Sequence, residues 1–194
     1  MMRMHRICLA VLVVAALASC ASPAPVLYTI SPVNGAPLAG GPKVVLLEQV
    51  VLATFLQRQQ IVRSSENNRL DVLSNDWWGE KLEDMIGRVL VDELSQRLPS
   101  TTVLSEHGGI SVKPDATVEL SIQRLDRDAA GNVVLQAQAG VALRGPGVAA
   151  VRAFRFSVTP TGADTQAEVA AISTALGQLA DGLAAMLAAG HPPK

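Results

Sequence analysis

The chain contains 194 residues with a formal net charge of −1, and 49% of its residues are hydrophobic but only 3% aromatic. This length suits a single domain with its own core, and the composition predicts that the core is aliphatic. The 16 basic residues form no block, which disfavours nucleic acid as a partner.

The first 19 residues are predicted to be a lipoprotein signal peptide. Arg3 and Arg6 precede an apolar run over residues 7–18, and small residues follow it, which is the pattern of a secretory signal. The run is shorter than the about 20 apolar residues of a membrane-spanning helix. Its end, residues 17–20 (Leu-Ala-Ser-Cys), resembles the bacterial lipobox, in which the cysteine is acylated. We therefore predict lipidation at Cys20; the alternative is a plain signal peptide with an incidental cysteine.

Cleavage before Cys20 has consequences for the mature chain. It would leave about 175 residues, with 14 basic against 17 acidic and a formal charge of about −3. Cys8 would be lost with the signal, which excludes a disulfide, a cysteine nucleophile and a thiolate metal site. Residues 20–26 are predicted to be a short tether, which spans at most about 20 Å and keeps the domain near its membrane.

The next part of the chain is predicted to contain strands. The candidates are residues 27–30, 43–52, 60–63 and 70–73. The run over 43–52 is strongly apolar and rich in β-branched residues, which is typical of a central strand. Residues 31–42 form a Gly/Pro-rich loop, and residues 64–69 form a polar turn.

The apolar period then changes from two to 3.6 residues, which predicts an amphipathic helix. The residues that share its apolar face are Leu82, Met85, Ile86, Val89, Leu90 and Leu94. Asp76 is the predicted N-cap, and Pro99 is expected to end the helix at Leu98.

An antiparallel meander is predicted after this helix. Apolar and polar residues alternate over 117–125, 133–143 and 154–158, with turn residues between these segments. Such alternation indicates a sheet with one covered face and one wetter face.

A long C-terminal helix should follow the capping-box pattern of residues 165–168. Its apolar positions are Val169, Ile172, Leu176, Leu179, Leu183 and Met186. Their spacing fits packing on the domain's own sheet, and the alternative is a coiled-coil seam. The predicted fold is therefore α/β (α+β): one domain over residues 27–190, with a mostly antiparallel sheet packed against two main helices. Residues 191–194 form a tail.

No catalytic or metal-binding motif is recognisable in the mature sequence. His107 precedes two glycines in a predicted loop, and His191 lies in the tail; neither has the spacing of a metal site or a catalytic triad. Glu106 and His107 could form an acid/base pair of a hydrolase, although neighbours in a flexible turn rarely hold catalytic geometry. We expect a protein that is not an enzyme and has no cofactor beyond the covalent lipid.

Trp77 and Trp78 stand side by side at the predicted start of the first helix. Successive helical side chains point about 100° apart, so both rings cannot face one core. One is expected to plug the core while the other stays partly exposed. Alternatively, the exposed ring anchors a partner, since tryptophan is enriched in interface hot spots.

Five short stretches of the chain carry a family resemblance. They are residues 27–30 (Leu-Tyr-Thr-Ile), 60–63 (Gln-Ile-Val-Arg), 68–70 (Asn-Arg-Leu), 78–82 (Trp-Gly-Glu-Lys-Leu) and 88–90 (Arg-Val-Leu). Together they resemble the PqiC/YmbA-type auxiliary lipoproteins of ABC transport systems. Where the family has Arg-Pro-Gln-Ile-Val, residues 58–62 of this chain are Arg-Gln-Gln-Ile-Val. Where the family has Trp-Ala-Glu-Pro-Leu, residues 78–82 are Trp-Gly-Glu-Lys-Leu. Both prolines are therefore replaced.

The resemblance implies a non-enzymatic subunit of an assembly that moves lipids across the periplasm and supports the outer membrane. The implied partners are an MCE-domain protein and an inner-membrane ABC transporter, and a homo-oligomeric ring is possible in this family. The candidate partner contacts are Gln60, Trp77, Trp78 and Leu82. Ser22, in place of an aspartate, favours the outer membrane as the site of the periplasm-facing anchor. The alternative function is a stand-alone envelope binding or assembly lipoprotein.

Overall fold

The computed structural model describes residues 23–106, 108–110, 112–145 and 150–190 of the chain. The predicted signal peptide with Cys8, the lipidation site Cys20, the sorting residue Ser22, His107, and the tail with His191 lie outside the described residues. Within them, the chain folds into one mixed sheet and two long helices.

The described chain contains nine strands and two long helices. The strands are β1 (Val26–Tyr28), β2 (Val44–Leu47), β3 (Val51–Leu52), β4 (Gln60–Ser64), β5 (Asp71–Trp78), β6 (Thr102–Ser105), β7 (Ala116–Arg127), β8 (Val133–Leu143) and β9 (Ala150–Val158); the helices are α1 (Leu82–Arg97) and α2 (Thr165–Gly190). A short 3₁₀ turn, Thr54–Leu56, lies between β3 and β4. The helix α1 separates β5 from β6, and α2 ends the described chain.

The long strand β7 organises the sheet. One of its edges pairs with β8 along almost its whole length, and β8 pairs with β9, all antiparallel. Its other edge pairs in succession with β2, β3 and β4, all parallel. Beyond these strands lie β6 next to β2, and β5 then β1 next to β4. The predicted meander and fold class are confirmed, with the difference that the sheet is mixed, since five of its eight described strand pairings are parallel.

The two helices cover one face of the sheet and bury its aliphatic side chains. In α1 the predicted apolar stripe is fully buried. In α2 the predicted apolar positions from Val169 to Leu183 pack inside the domain, and Met186 is partly buried against the same core. By length and composition α2 could also cross a membrane, but most of it is buried in the domain, as in a core helix. The packing therefore follows the internal alternative rather than a coiled-coil seam.

The predicted start of the first helix is wrong. Asp76, Trp77 and Trp78 belong to β5, which is paired with β1 on one side and β4 on the other. The helix begins at Leu82, and the preceding Lys81 makes no side-chain cap. Ladder hydrogen bonds to two neighbouring strands hold these residues extended, a tertiary effect that local helix propensity cannot show.

Two further boundaries differ from the prediction. The strand over 43–52 is interrupted by residues 48–50, so it forms β2 and β3 along the same edge of β7. The second long helix is capped by Asp164, whose Oδ1 accepts the Ala167 N–H at 2.7 Å, rather than by the predicted box from Thr165 to Glu168. The Glu168 carboxylate points into the domain instead, where it meets Arg127.

Candidate functional site

The four predicted partner contacts lie close together, but on two faces of the sheet. Trp78 and Leu82 are core residues, with 6% and 3% of their surface exposed. Trp77 points to the opposite side, because adjacent residues of a strand alternate. Its cross-strand neighbours are Leu27 in β1 and Gln60 in β4.

Trp77 is the partly exposed member of the tryptophan pair. Its Nε1 donates a hydrogen bond to the Ser74 carbonyl at 3.2 Å, so the ring lies along its own strand. The burial of Trp78 and the partial exposure of Trp77 agree with one plug and one surface ring. Only Gln60 and Trp77 of the four retain accessible surface, and a partner contact by them stays a prediction.

Glu106, the described half of the predicted acid/base pair, has a structural contact. Its Oε2 accepts the Gln49 N–H at 2.9 Å and thereby ties the end of β6 to the connection between β2 and β3. Within residues 23–190, apart from the undescribed positions, no group of three or more His, Cys, Asp or Glu side chains could hold a metal ion.

A buried cluster of charges lies at the C-terminal end of β7. Arg124 donates through Nε to Asp126 at 2.6 Å and through a terminal nitrogen to Glu66 at 2.5 Å. Arg127 donates through Nε to the Glu168 carboxylate at 2.8 Å. The cluster therefore joins the turn after β4, the end of β7 and the first turn of α2.

The two carboxylates in this cluster that are fully buried are Asp126 and Glu168. Burial raises the pKa of Glu168, and the nearby positive charges of Arg127 and Arg63 oppose that rise. Such a pair is costly to desolvate and depends on its partners for compensation. We therefore interpret the cluster as a structural contact between these three parts of the domain.

A second buried cluster attaches the Gly/Pro-rich loop to the helices. The Arg97 guanidinium contacts the Asp181 carboxylate at 2.6 Å and the carbonyls of Val33 and Gly177, each at 3.1 Å. Gly35 lies directly against this guanidinium, where a side chain would overlap it. Arg97 thus attaches the loop over residues 31–42 to both α1 and α2.

Glu93, one turn before Arg97, completes this cluster. Its Oε1 accepts the Val33 N–H at 2.7 Å, while its Oε2 has no hydrogen-bond partner among the described residues. Burial raises the pKa of Glu93 to about 7, although the Val33 N–H and the charge of Arg97 act in the opposite direction.

Sequence reasoning missed both clusters, although a signal existed. Glu93 and Arg97 continue the apolar stripe of α1 by steps of three and four residues, and Glu168 stands four residues before Ile172 on the buried side of α2. A charged residue on a buried stripe indicates an internal partner, but the stripe does not say which residue that partner is.

An acidic groove of about 410 Å³ lies between α1 and the connection from β2 to β3. Its charged lining consists of Glu48, Glu83, Asp84, Asp92, Glu106 and Arg88. Arg88 is already paired with Glu80, so the surface around the groove is negative.

The comparisons with known proteins place this fold. The family model described as "ABC-type transport auxiliary lipoprotein component" matches residues 28–184. The crystal structure of an uncharacterized protein has a TM-score of 0.72 at 17% identity, covering 84% of this chain and 99% of its own. A DUF330-family protein from Xanthomonas campestris has a TM-score of 0.70 at 19% identity, covering 85% of this chain and 96% of its own.

A dodecameric PelC structure from Paraburkholderia phytofirmans covers 83% of this chain and 99% of its own. It has 9% identity and a TM-score of 0.45. No curated protein matches the chain. The family model spans well over half of the sequence and nearly all of the described domain, and the two structures with the higher TM-scores share its fold. The chain therefore belongs to the family of ABC-type transport auxiliary lipoprotein components.

Proposed function

We propose that this protein is a periplasm-facing lipoprotein subunit of an MCE/ABC-type system that carries lipids between the inner and outer membranes and supports outer-membrane integrity. The family match over residues 28–184 is the observation that carries the proposal. It is supported by the Leu-Ala-Ser-Cys sequence that ends at Cys20. In this role the domain binds other subunits and catalyses no reaction.

The lipid on Cys20 holds the domain at the membrane, and Ser22 favours the outer membrane. The described chain enters the sheet at β1, so the short tether places this end of the domain next to the bilayer. The proposed partners are the MCE-domain protein and its inner-membrane ABC transporter, with assembly into a homo-oligomeric ring as a further possibility of the family. Gln60 and Trp77 remain the candidate contacts with accessible surface.

A non-enzymatic role is supported by what the perturbed acids do. The two buried carboxyls with a raised pKa, Glu93 and Glu168, hold a loop and a helix start rather than face a cleft. Perturbed pKa values mark active sites only when the group can reach a substrate.

The direct test is purification of the full-length, lipidated protein through a C-terminal tag from detergent-solubilised envelopes. We expect the MCE-domain protein to co-purify, and we expect Cys20→Ala to abolish acylation and reduce that yield. Recovery of no transport component, together with unchanged outer-membrane permeability on deletion, would contradict the proposal. That result would favour the stand-alone envelope lipoprotein instead.

A further inference from the structure

A shallow trough of about 300 Å³ lies on the face of the sheet that the helices leave open. Two exposed valines stand along it, Val51 of β3 with 58% and Val151 of β9 with 74% of their surface accessible. The residues that cross the face in register are Val51, Ser121, Gln138 and Ala153 in one row and Glu119, Gly140 and Val151 in the next. The floor between the valines is therefore formed by the uncharged residues Ser121, Gln138 and Gly140, with the Glu119 carboxylate beside them.

Gly140 forms the lowest part of this floor, in the middle of β8. A Cβ built on it would meet nothing closer than the Glu119 side chain, at 3.9 Å. At Gly182 and Gly35, by contrast, the corresponding space is filled by the Phe154 ring and the Arg97 guanidinium. A glycine inside a strand costs stability and often marks the close approach of another group. No described residue makes that approach at Gly140, so the space above it is open to a group from outside the chain.

The trough is rimmed by carboxylates. Glu48 and Glu119 line it, and Glu48 and Gln49 also line the acidic groove beside α1, so the two depressions adjoin. Burial raises the pKa of Glu48, and the charges of Glu119 and Glu106 raise it further. Glu48 thus lies close enough to Glu119 and Glu106 to be repelled by both, and a positive charge placed beside it would be stabilised.

We propose that this trough is where a protein subunit of the transport system docks, with a lysine or arginine between Glu48 and Glu119 and an apolar side chain against Val51 and Val151. The inference rests on the proposed function and names the surface through which it acts. An apolar centre with a charged rim is the usual anatomy of a specific interface. The bilayer is the poorer occupant because acidic side chains repel anionic lipid headgroups.

The trough lies away from the end of the domain that carries the membrane anchor. The tether enters at β1, which is separated from β7 by β5 and β4, whereas the trough spans β3, β7, β8 and β9. At about 4.8 Å per strand, β1 and β9 are about 24 Å apart across the sheet. The anchored end and the trough therefore occupy different parts of the domain.

The test uses full-length lipidated protein and its co-purifying MCE-domain subunit. Gly140→Val fills the floor of the trough, and Glu119→Lys reverses the charge of its rim. We expect each to weaken the complex by about tenfold or more. Raising the salt concentration should weaken the wild-type complex but affect Glu119→Lys less.

Two control variants match these changes away from the trough. Ser157→Val adds a similar side chain to the same face at the far end of β9, and Asp71→Lys makes the same charge change on exposed β5. Both should bind as the wild type does, and all four variants should keep the wild-type circular dichroism spectrum.

Photocrosslinking identifies the occupant. A photoreactive amino acid at Val151 should crosslink to the transport subunit, whereas one at exposed Leu70 in the turn before β5 should not. Crosslinks from Val151 only to lipid or to a second copy of this chain would overturn the inference. A wild-type complex that Gly140→Val and Glu119→Lys leave intact would also overturn it, with the proposed function unharmed. Absence of any complex with the wild type would overturn both.

Discussion

On the open face of the sheet, the charged side chains are paired at one end of β7 and unpaired at the other, among the described residues. At the C-terminal end, Arg124 and Asp126 are drawn into the domain and paired with each other and with Glu66. At the N-terminal end, Glu119 stays exposed beside Glu48 and has no ion pair among the described residues. Both sets lie on the same face, because Arg124 and Glu119 oppose Gln136 and Gly140 of β8.

The difference separates structural charges from available ones. Opposite charges that meet inside the fold satisfy one another, and removing one leaves its partner buried and uncompensated. Like charges left at the surface repel, which costs the free domain little in water but favours a positive partner. The buried end therefore stabilises the fold, whereas the exposed end is the part suited to binding.

The largest expected effect comes from breaking the buried end. Arg127→Met removes the cation at 2.8 Å from the fully buried Glu168 carboxylate. We expect a loss of about 3–5 kcal/mol in the free energy of unfolding, measured by urea denaturation, because the remaining charge has lost its close partner. Arg69→Met in the exposed turn before β5 is the control and should change stability by less than about 0.5 kcal/mol.

A second substitution shows whether the Arg127 effect arises from charge. Adding Glu168→Gln to Arg127→Met removes the uncompensated carboxylate, so the double variant should recover part of the lost stability. A double variant no more stable than Arg127→Met alone would mean that packing, not ion pairing, explains the loss.

The next effect is the pH dependence caused by Glu93. Its pKa is about 7 in the folded protein and near 4.5 when unfolded, so the folded state binds the extra proton between these values. The stability associated with this group is fully present below about pH 4.5 and is lost as the pH rises through 7. Unfolding measured from pH 4.5 to 8 should therefore show Glu93→Gln gaining on the wild type by about 3 kcal/mol. Parallel pH profiles for the two proteins would contradict this.

A smaller effect compares Gly182 of α2, which packs against β9, with Gly140 on the open face of the sheet. Gly182→Val places a side chain where the Phe154 ring already lies, and overpacking should cost about 1–3 kcal/mol. Gly140→Val has open space and replaces a poor strand residue, so it should be neutral or stabilising by about 0.5–1 kcal/mol. Thermal unfolding of the two variants measures the contrast. Equal destabilisation would mean that the space above Gly140 is needed by the fold itself.

The smallest effect concerns the acids of the trough. Glu119→Gln removes a charge that raises the pKa of Glu48, so that pKa should fall toward its ordinary value. The side-chain carboxyl resonance of Glu48, followed by NMR through a pH titration, reports this shift. The stability should change by no more than about 0.5 kcal/mol. Asp71→Asn, an equal charge change on β5, should leave the Glu48 titration where it is.

Much of the architecture followed from periodicity in the sequence. The buried stripe of α1, the alternation of β7 to β9 and the internal packing of α2 were all predicted, because each depends on the spacing of apolar residues within one element. The β-bulge between Ile122 and Arg124 shifts that alternation and places Leu125 inside, which a strict period of two does not show. The family also followed from short sequence stretches, and its model matches the domain.

The tertiary structure decided what depends on residues far apart in the chain. Pairing with β1 and β4 kept Asp76 to Trp78 extended, against the predicted helix start. Arg97 contacts Val33 and Asp181, and Arg127 contacts Glu168. These partners are far apart in the sequence, so no local pattern predicts the contacts. The lipidation predicted at Cys20 rests on the sequence alone, because that residue lies outside the part of the chain that the structure describes. The trough around Gly140 required the fold, because β3, β7, β8, β9 and the connection from β2 to β3 bring its residues together only when the sheet forms.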